Sequence, residues 1–488
     1  MSANPGGGDR REGRRRNGVQ RYRSLFAFTP SANVAVGCER RTAQVGQDSA
    51  LIRKVACVRS SNSLRARMAR GVVWLACGSL GMQATALLGS VVCARILGES
   101  RFGEFGIVRS TLLMLGVLAG SGMGVVATKY VAEYRDTDRE CAGRMIGLLL
   151  TVAVFGGGGI GVLCLLLASP VATWGMKTEH LVLSLRIGFL LPMLYSLGGV
   201  QLGVLAGLES FRSVAWLNAL DGVLVSGCAI VGARIGDVNG AMLGLSIAAT
   251  VSAAVKHTAM TRHCSGSGIR VSRPTSPTDW PALWRGALPA IVLGLVFFPC
   301  DWCARLLLSR QPGGFAELGI FTAAYAWGQT VLFLPAHVVG PTQSIFANLL
   351  GAGQVRSFRR LVRLTVASAI ALALLTAVIL SWWSGRIMAI YGGAFVDGGK
   401  VLLVIALAHV FYAATMPFKN ILITLDRIWD QAFHHCILGG ALLGSAIVLG
   451  RHGALGLAFA HLFAWSAMFV WQGVVIARAM KHFRGRTR

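Results

Sequence analysis

Cys93-Ala94-Arg95-Ile96-Leu97, followed by Phe102-Gly103-Glu104-Phe105-Gly106-Ile107, returns later as Cys303-Ala304-Arg305-Leu306-Leu307 followed by Phe315-Ala316-Glu317-Leu318-Gly319-Ile320. Each copy starts at the end of one long apolar segment and runs into the next. Further on, Val204-Leu205-Ala206-Gly207-Leu208-Glu209 resembles Ile421-Leu422-Ile423-Thr424-Leu425-Asp426. An apolar chain that repeats itself after about 215 residues reads as a membrane bundle of two similar lobes. Such a plan points to moving something across a bilayer and away from soluble chemistry.

Composition agrees. The chain is 54% hydrophobic and 14% charged, with a mean hydropathy of +0.61, whereas soluble domains carry roughly 25% charged residues. A spanning helix needs about 20 apolar residues. Twelve stretches qualify: 72–93, 107–127, 145–168, 181–205, 214–233, 238–255, 286–308, 319–345, 362–382, 401–423, 432–449 and 453–476. These runs are long and continuous, without the alternation of porin-like strands. The 61 glycines suit close helix approach in lipid. The expected fold is therefore an all-α membrane protein of about 12 transmembrane helices in two pseudo-symmetric six-helix lobes.

Lys and Arg fix the expected orientation. With both termini in the cytoplasm, the inner loops and tail hold 21 basic residues and the outer loops 8. The net charge of +27 does not imply nucleic acid, because 15 of the 47 basic residues lie in the first 70 positions and the inner loops hold most of the rest. Residues 1–68 read as a basic, disordered extension without the apolar core of a signal peptide. Met68-Ala69-Arg70-Gly71 would make a sensible alternative start. The domains expected are a lobe over 69–256, a cytoplasmic linker over 257–284 with Pro274, Pro277 and Pro281, a second lobe over 285–480, and a basic tail over 481–488.

No catalytic constellation emerges. Of the eleven cysteines, Cys77, Cys164, Cys228, Cys300, Cys303 and Cys436 lie inside spans, where they act as small apolar side chains. Cys300-Asp301-Trp302-Cys303 has neither the βαβ context of a redox motif nor a second ligand pair for zinc. The glycine clusters 120–124 and 156–159 are not phosphate loops, since no strand precedes them. Neither a metal, a cofactor nor an enzymatic activity is expected.

Ionisable residues within spans usually face a cavity or a partner. Arg109, Arg186, Arg305 and Asp301 are the candidates for lining a lumen; Asp221, His409 and His461 are the candidates for coupling to a proton gradient. Asp301 and Arg305 share a helix face and can pair, either as structure or as a gate. Arg186 can snorkel or hold phosphate, and the histidines can equally be packed by hydrogen bonds. Three arginines against two aspartates favour an anionic cargo. Pro299, Pro335 and Pro341, together with Pro289, mark where the seventh and eighth spans can break to form a moving wall. Glu104 and Glu317, the repeated acids, sit where helix N-termini favour negative charge.

The residues Ala94-Arg95-Ile96-Leu97-Gly98 through Gly106, then Ala127-Thr128-Lys129-Tyr130-Val131-Ala132-Glu133-Tyr134, resemble the opening of polysaccharide transporters. These are the O-antigen and exopolysaccharide flippases of the multidrug/oligosaccharidyl-lipid/polysaccharide (MOP, MATE-like) superfamily. Asp301, Arg305-Leu306-Leu307-Leu308 and Gly319 to Tyr325 resemble the family's "D-x-x-L-L … G-x-Y-x-x-A" pattern, with Phe321 where a Tyr is usual. Gly453-Ala454-Leu455-Gly456-Leu457-Ala458 resembles its glycine-rich last span.

The resemblance implies an inner-membrane protein that turns a polyprenyl-pyrophosphate-linked oligosaccharide from the cytoplasmic to the outer leaflet as its lobes rock. Its partners would be that lipid-linked oligosaccharide, the glycan polymerase and glycosyltransferases of the same pathway, and membrane lipid, with no nucleic acid. The rival readings are a drug/cation antiporter of the same superfamily, a peptidoglycan-precursor flippase (which usually carries two further spans), and a non-transporting scaffold of a glycan assembly complex.

Overall fold

The computed structural model describes the backbone of residues 49–120, 122–272, 279–425 and 428–485. Side chains are described from Gly71 onward, apart from 72, 121, 273–293, 344, 426–429 and 479–488. The extension before residue 49, the middle of the 257–284 linker, and the side chains of Pro289 and of the basic tail lie outside the described residues. The chain forms two compact units, Met1–Met68 and Ala69–Arg488.

Every element among the described residues is helical. The first half contains α1 (Ser49–Gly120), α2 (Met123–Tyr134), α3 (Arg139–Pro170), α4 (Leu181–Ile187), α5 (Leu191–Gly207) and α6 (Phe211–Gly266). α1 begins inside the stretch 1–68 that the sequence reading leaves unstructured. The second half contains α7 (Asp279–Ser309), α8 (Gly314–Gly328), α9 (Phe333–Val339), α10 (Thr342–Gly351), α11 (Val355–Trp382), α12 (Ser384–Ala389), α13 (Gly398–Thr424), α14 (Ile428–Leu449) and α15 (Gly453–Gly485). Among the described residues, eight helical runs are long and apolar enough to cross a bilayer. The protein is an all-α membrane protein.

Three of those runs are too long for one crossing, and each contains a break. α1 breaks at Gly98 (φ 74°, ψ 173°), a left-handed conformation that glycine adopts without a Cβ clash. α6 reverses at Gly236 and Asp237. Its arms then pack so closely that a Cβ on Gly232 would stand 2.0 Å from the Gly240 carbonyl oxygen, and one on Gly244 would stand 2.1 Å from that of Cys228. α14 turns into α15 at Gly453 (φ 67°), and a Cβ on Gly456 would meet the Leu449 oxygen at 1.8 Å. Small residues allow backbones to touch where lipid supplies no hydrophobic drive between helices.

Local chemistry sets the other boundaries. Asp138 caps α3 by accepting the Cys141 N–H at 2.9 Å, satisfying a donor that a helix start leaves orphaned. The straight run from α8 toward α9 gives way to a 3₁₀ turn over Gln329–Leu332, one turn before Pro335, whose ring cannot donate to the Val331 carbonyl. Pro341 stands at the N-cap of α10, so α9 stops at Val339. Outward-facing apolar side chains such as Trp382 (85% exposed) and Phe155 (76% exposed) are too large and too numerous for a surface in water; they face lipid.

Several of the contacts that join the halves lie at the end where α1 breaks. Arg95 donates from Nε to the Ile390 carbonyl at 2.6 Å, and Ser90 and Tyr391 hydroxyls meet at 3.1 Å. The Phe102 ring lies against Tyr391 and Phe395. Arg310 donates to the carbonyls of Trp174 and Gly175. Phe395 and Tyr391 are fully buried there.

Candidate functional site

Between the halves lies a cavity of about 410 Å³. Three helical stripes build its charged wall, each with the i, i+3, i+4, i+7 spacing that places residues on one face. The second arm of α1 contributes Phe102, Phe105, Gly106 and Arg109; α7 contributes Phe298, Asp301, Trp302 and Arg305; α8 and the first residue of the 3₁₀ turn after it contribute Thr322, Tyr325, Ala326 and Gln329. Three residues expected in the lumen, Arg109, Arg305 and Asp301, thus line one cavity.

Arg305 is held on three sides. Its Nε donates to Asp301 Oδ2 at 2.9 Å, and Nη2 lies 3.4 Å from Oδ1. The guanidinium sits 4.7 Å from the Tyr325 ring centroid and 5.2 Å from that of Phe321, distances at which a cation is attracted to the ring quadrupole. Phe321, the departure from the family pattern, therefore forms part of the arginine's seat. Arg109, on the α1 stripe of the same cavity, is exposed, with no acidic side chain in ion-pair range among the described residues. Asp301 is the sole carboxylate of the described lining, so the wall carries more positive than negative formal charge.

Behind Asp301 stands His461 of α15, which is fully buried. Its Nε2 lies 2.9 Å from Asp301 Oδ1 and its Nδ1 lies 2.9 Å from the Leu457 carbonyl. His409 of α13 is one ring further away: its Nδ1 meets the Ile405 carbonyl at 2.8 Å, and its ring packs 5.3 Å from that of Tyr325.

The remaining candidates lie elsewhere. Arg186 is exposed in the last turn of α4 and is not among the cavity-lining residues. Asp221, in the first arm of α6, accepts hydrogen bonds from Ser252 and Lys256 of the second arm. Pro299 sits in α7 between the lining residues Phe298 and Asp301, while Pro335 lies in the first turn of α9 and Pro341 at the N-cap of α10.

Tyr325, Trp302, Gln329 and Lys256 were not singled out from sequence. Trp302 donates its indole N–H to Thr111 Oγ1 at 2.8 Å, a bond between the halves. The i, i+4, i+8 series Phe321, Tyr325, Gln329 is the signal that could have found two of them. Nothing in the sequence around Lys256 announces its buried partner, Asp221, one helix arm away.

A family profile described as "Polysaccharide biosynthesis protein" matches residues 68–345, more than half of the chain. The lipid III flippase of Escherichia coli (strain K12) is 29% identical over 183 residues, which are 37% of this chain and 43% of that protein. The match thus spans less than half the length of that relative. Among solved structures, an inward-facing multidrug resistance MATE family transporter of the MOP superfamily superposes with a TM-score of 0.67 at 15% identity, over 82% of this chain and 96% of that one. An outward-facing form gives 0.63 at 15% identity, over 84% and 96%. At such identities the likeness is one of fold.

Proposed function

Because the chain belongs to the polysaccharide biosynthesis protein family, we propose that it carries a polyprenyl-pyrophosphate-linked oligosaccharide from the cytoplasmic to the outer leaflet of the inner membrane. The observation that supports this best is the pair Arg109 and Arg305 facing one cavity whose only described carboxylate, Asp301, is already engaged. Guanidinium groups recognise phosphate oxygens by paired N–H donors and keep their charge at any working pH. A carrier of cationic drugs would instead need free carboxylates in the lumen.

In this reading the kinked runs divide at their reversal points into twelve spans, six in each lobe, with the 257–284 linker and both termini in the cytoplasm. The end sealed by Arg95, Tyr391 and Arg310 is the outer one, so the cavity admits cargo from the cytoplasmic side. The pyrophosphate and sugars enter between the lobes while the prenyl chain stays in lipid. Rocking about the contact between α1 and α8 then opens the outer end. Binding free energy contributes only to the extent that it differs between the two states.

The test is a deletion strain assayed for surface polysaccharide and for lipid-linked units retained in the inner membrane. Loss of polymer with build-up of cytoplasm-facing units is expected, restored by the intact gene and by Arg186→Ala but not by Arg305→Ala or Arg109→Ala. Unchanged glycan with altered sensitivity to cationic drugs would replace this reading with drug/cation antiport. Unaltered glycan output from all the charge variants would leave a scaffold.

A further inference from the structure

Resting on that reading, we infer that His461 is a positioning residue that makes the arginine grip on an anionic headgroup proton-dependent, acting through Asp301. The argument starts from donors and acceptors. The Leu457 carbonyl can only accept, so Nδ1 of His461, 2.9 Å away, carries a hydrogen. A neutral imidazole then presents a bare lone pair at Nε2. That lone pair faces Asp301 Oδ1 at 2.9 Å, where an ionised carboxylate also has only lone pairs to offer. Two acceptors do not approach to hydrogen-bond distance without a proton between them. The contact therefore holds one proton, on the ring or on the carboxyl, beyond those of neutral histidine and ionised aspartate.

That proton sets the charge the site shows to the lumen. With it, Arg305, Asp301 and His461 together carry one net positive charge. Without it they carry none, and the whole carboxylate turns to Arg305, already bonded through Nε and Nη2. The groups facing this centre are few. From α7 there are Asp301 and Arg305, with Cys300 next in sequence beside Cys436 of α14; from α8, Tyr325; from α13, His409 and Tyr412. Arg109 of α1 lines the same cavity. His409 has its Nδ1 committed to the Ile405 carbonyl, and its buried Nε2 has no hydrogen-bond partner among the described residues. An anion on Arg305 and Arg109 and the proton on Asp301–His461 accordingly stabilise each other. By reciprocity, anion binding takes up a proton. The anion affinity is therefore higher at low pH than at high pH, changing by at most about tenfold per pH unit for one linked proton.

The experiment measures binding of a geranyl diphosphate sugar to the purified full chain in detergent between acidic and alkaline pH. Both phosphates of this probe are esterified, so its own charge stays constant. Wild type should bind with a sloping pH profile and Arg305→Ala should not bind. His461→Gln, whose amide donates to Asp301 at every pH and holds no titrating proton, should bind with a flat profile. Calorimetry of the wild type in two buffers of different ionisation enthalpy reads proton uptake directly and needs no variant to fold. A slope retained in His461→Gln, or Arg305-dependent binding without proton uptake, overturns the proposal while leaving the flippase reading intact. Absence of saturable binding at every pH removes both.

Discussion

Gly103 and Gly319 meet backbone to backbone across the two halves of the molecule. A Cβ on Gly103 would stand 1.8 Å from the Phe315 carbonyl oxygen and 2.9 Å from the Gly319 nitrogen; one on Gly319 would stand 2.1 Å from the Glu99 oxygen and 3.3 Å from the Gly103 nitrogen. Both glycines belong to the repeated stretch, so the two copies of the motif face each other. Gly106, the counterpart of Gly319, packs against Thr322 in the same contact.

That contact requires glycine for closeness. Gly319→Ala should therefore hold the halves apart at this end and shift the population toward the conformation open there. Spin labels on Lys177 and Gln311, which both border a hollow at this end, would report the change as a longer distance. An unaltered distance together with wild-type transport would show that the approach is incidental.

The Asp301–Arg305 pair is partly buried, with side chains 14% and 8% exposed. Breaking a buried pair costs about 3–5 kcal/mol, whereas replacing both members by apolar groups is often neutral. The residual exposure of Asp301 places this site toward the lower end of that range. Asp301→Leu alone should lower thermal stability more than the double change Asp301→Leu with Arg305→Met. Both should abolish rescue of glycan export. Equal melting curves for the single and double variants would mean that the pair is worth little in the fold.

Asp221 offers a contrast. Its partners Ser252 and Lys256 tie the two arms of α6 together away from the cavity. Lys256 is buried and stands close to Gly198 of α5, whose Cβ would lie 3.4 Å from Nζ. Asp221→Asn should destabilise the protein by leaving a buried ammonium without its counter-charge. The added change Lys256→Met should restore most of that loss, with transport activity following the folded fraction. A pH dependence of transport that disappears in the doubly substituted protein would instead return Asp221 to a coupling role.

How much of this was legible in the sequence depends on what each feature needs. The membrane helices and the internal repeat are local patterns of apolarity and spacing, and they stand out without a structure. So does the Asp301–Arg305 pair, because four residues on a helix fix the geometry. The partner of Asp301 across 160 residues, His461, was visible only as a lone intramembrane histidine. The same holds for Lys256, whose partner lies on the returning arm of α6. Arg186 shows the converse. Its position near a span end allowed two readings, and only the fold of α4 decides which way the side chain faces. Breaks divide by site: the 3₁₀ turn before Pro335 and the stop before Pro341 follow from the ring of proline itself, whereas α7 runs on as helix through Pro299.

The repeated acids lead to the last prediction. Glu317 lies in the first turn of α8, where the macrodipole favours it, and it does more than that. Its Oε2 accepts the Ala454 N–H at 2.7 Å, capping the start of α15 from a different helix. Glu104, its counterpart, instead faces His180 at 3.1 Å and Arg101 at 3.6 Å. The two copies have thus diverged in partner while keeping position. Glu317→Ala should cost about 1 kcal/mol, the usual value of a lost N-cap acceptor, and lower the thermal midpoint by roughly 1–2 °C in a chain of this size. Glu317→Gln keeps an oxygen within reach of the same N–H and should lose less than half as much. A melting curve for Glu317→Gln as low as that of Glu317→Ala would show that the negative charge at the two helix starts, rather than the hydrogen bond to Ala454, is what holds α8 to α15.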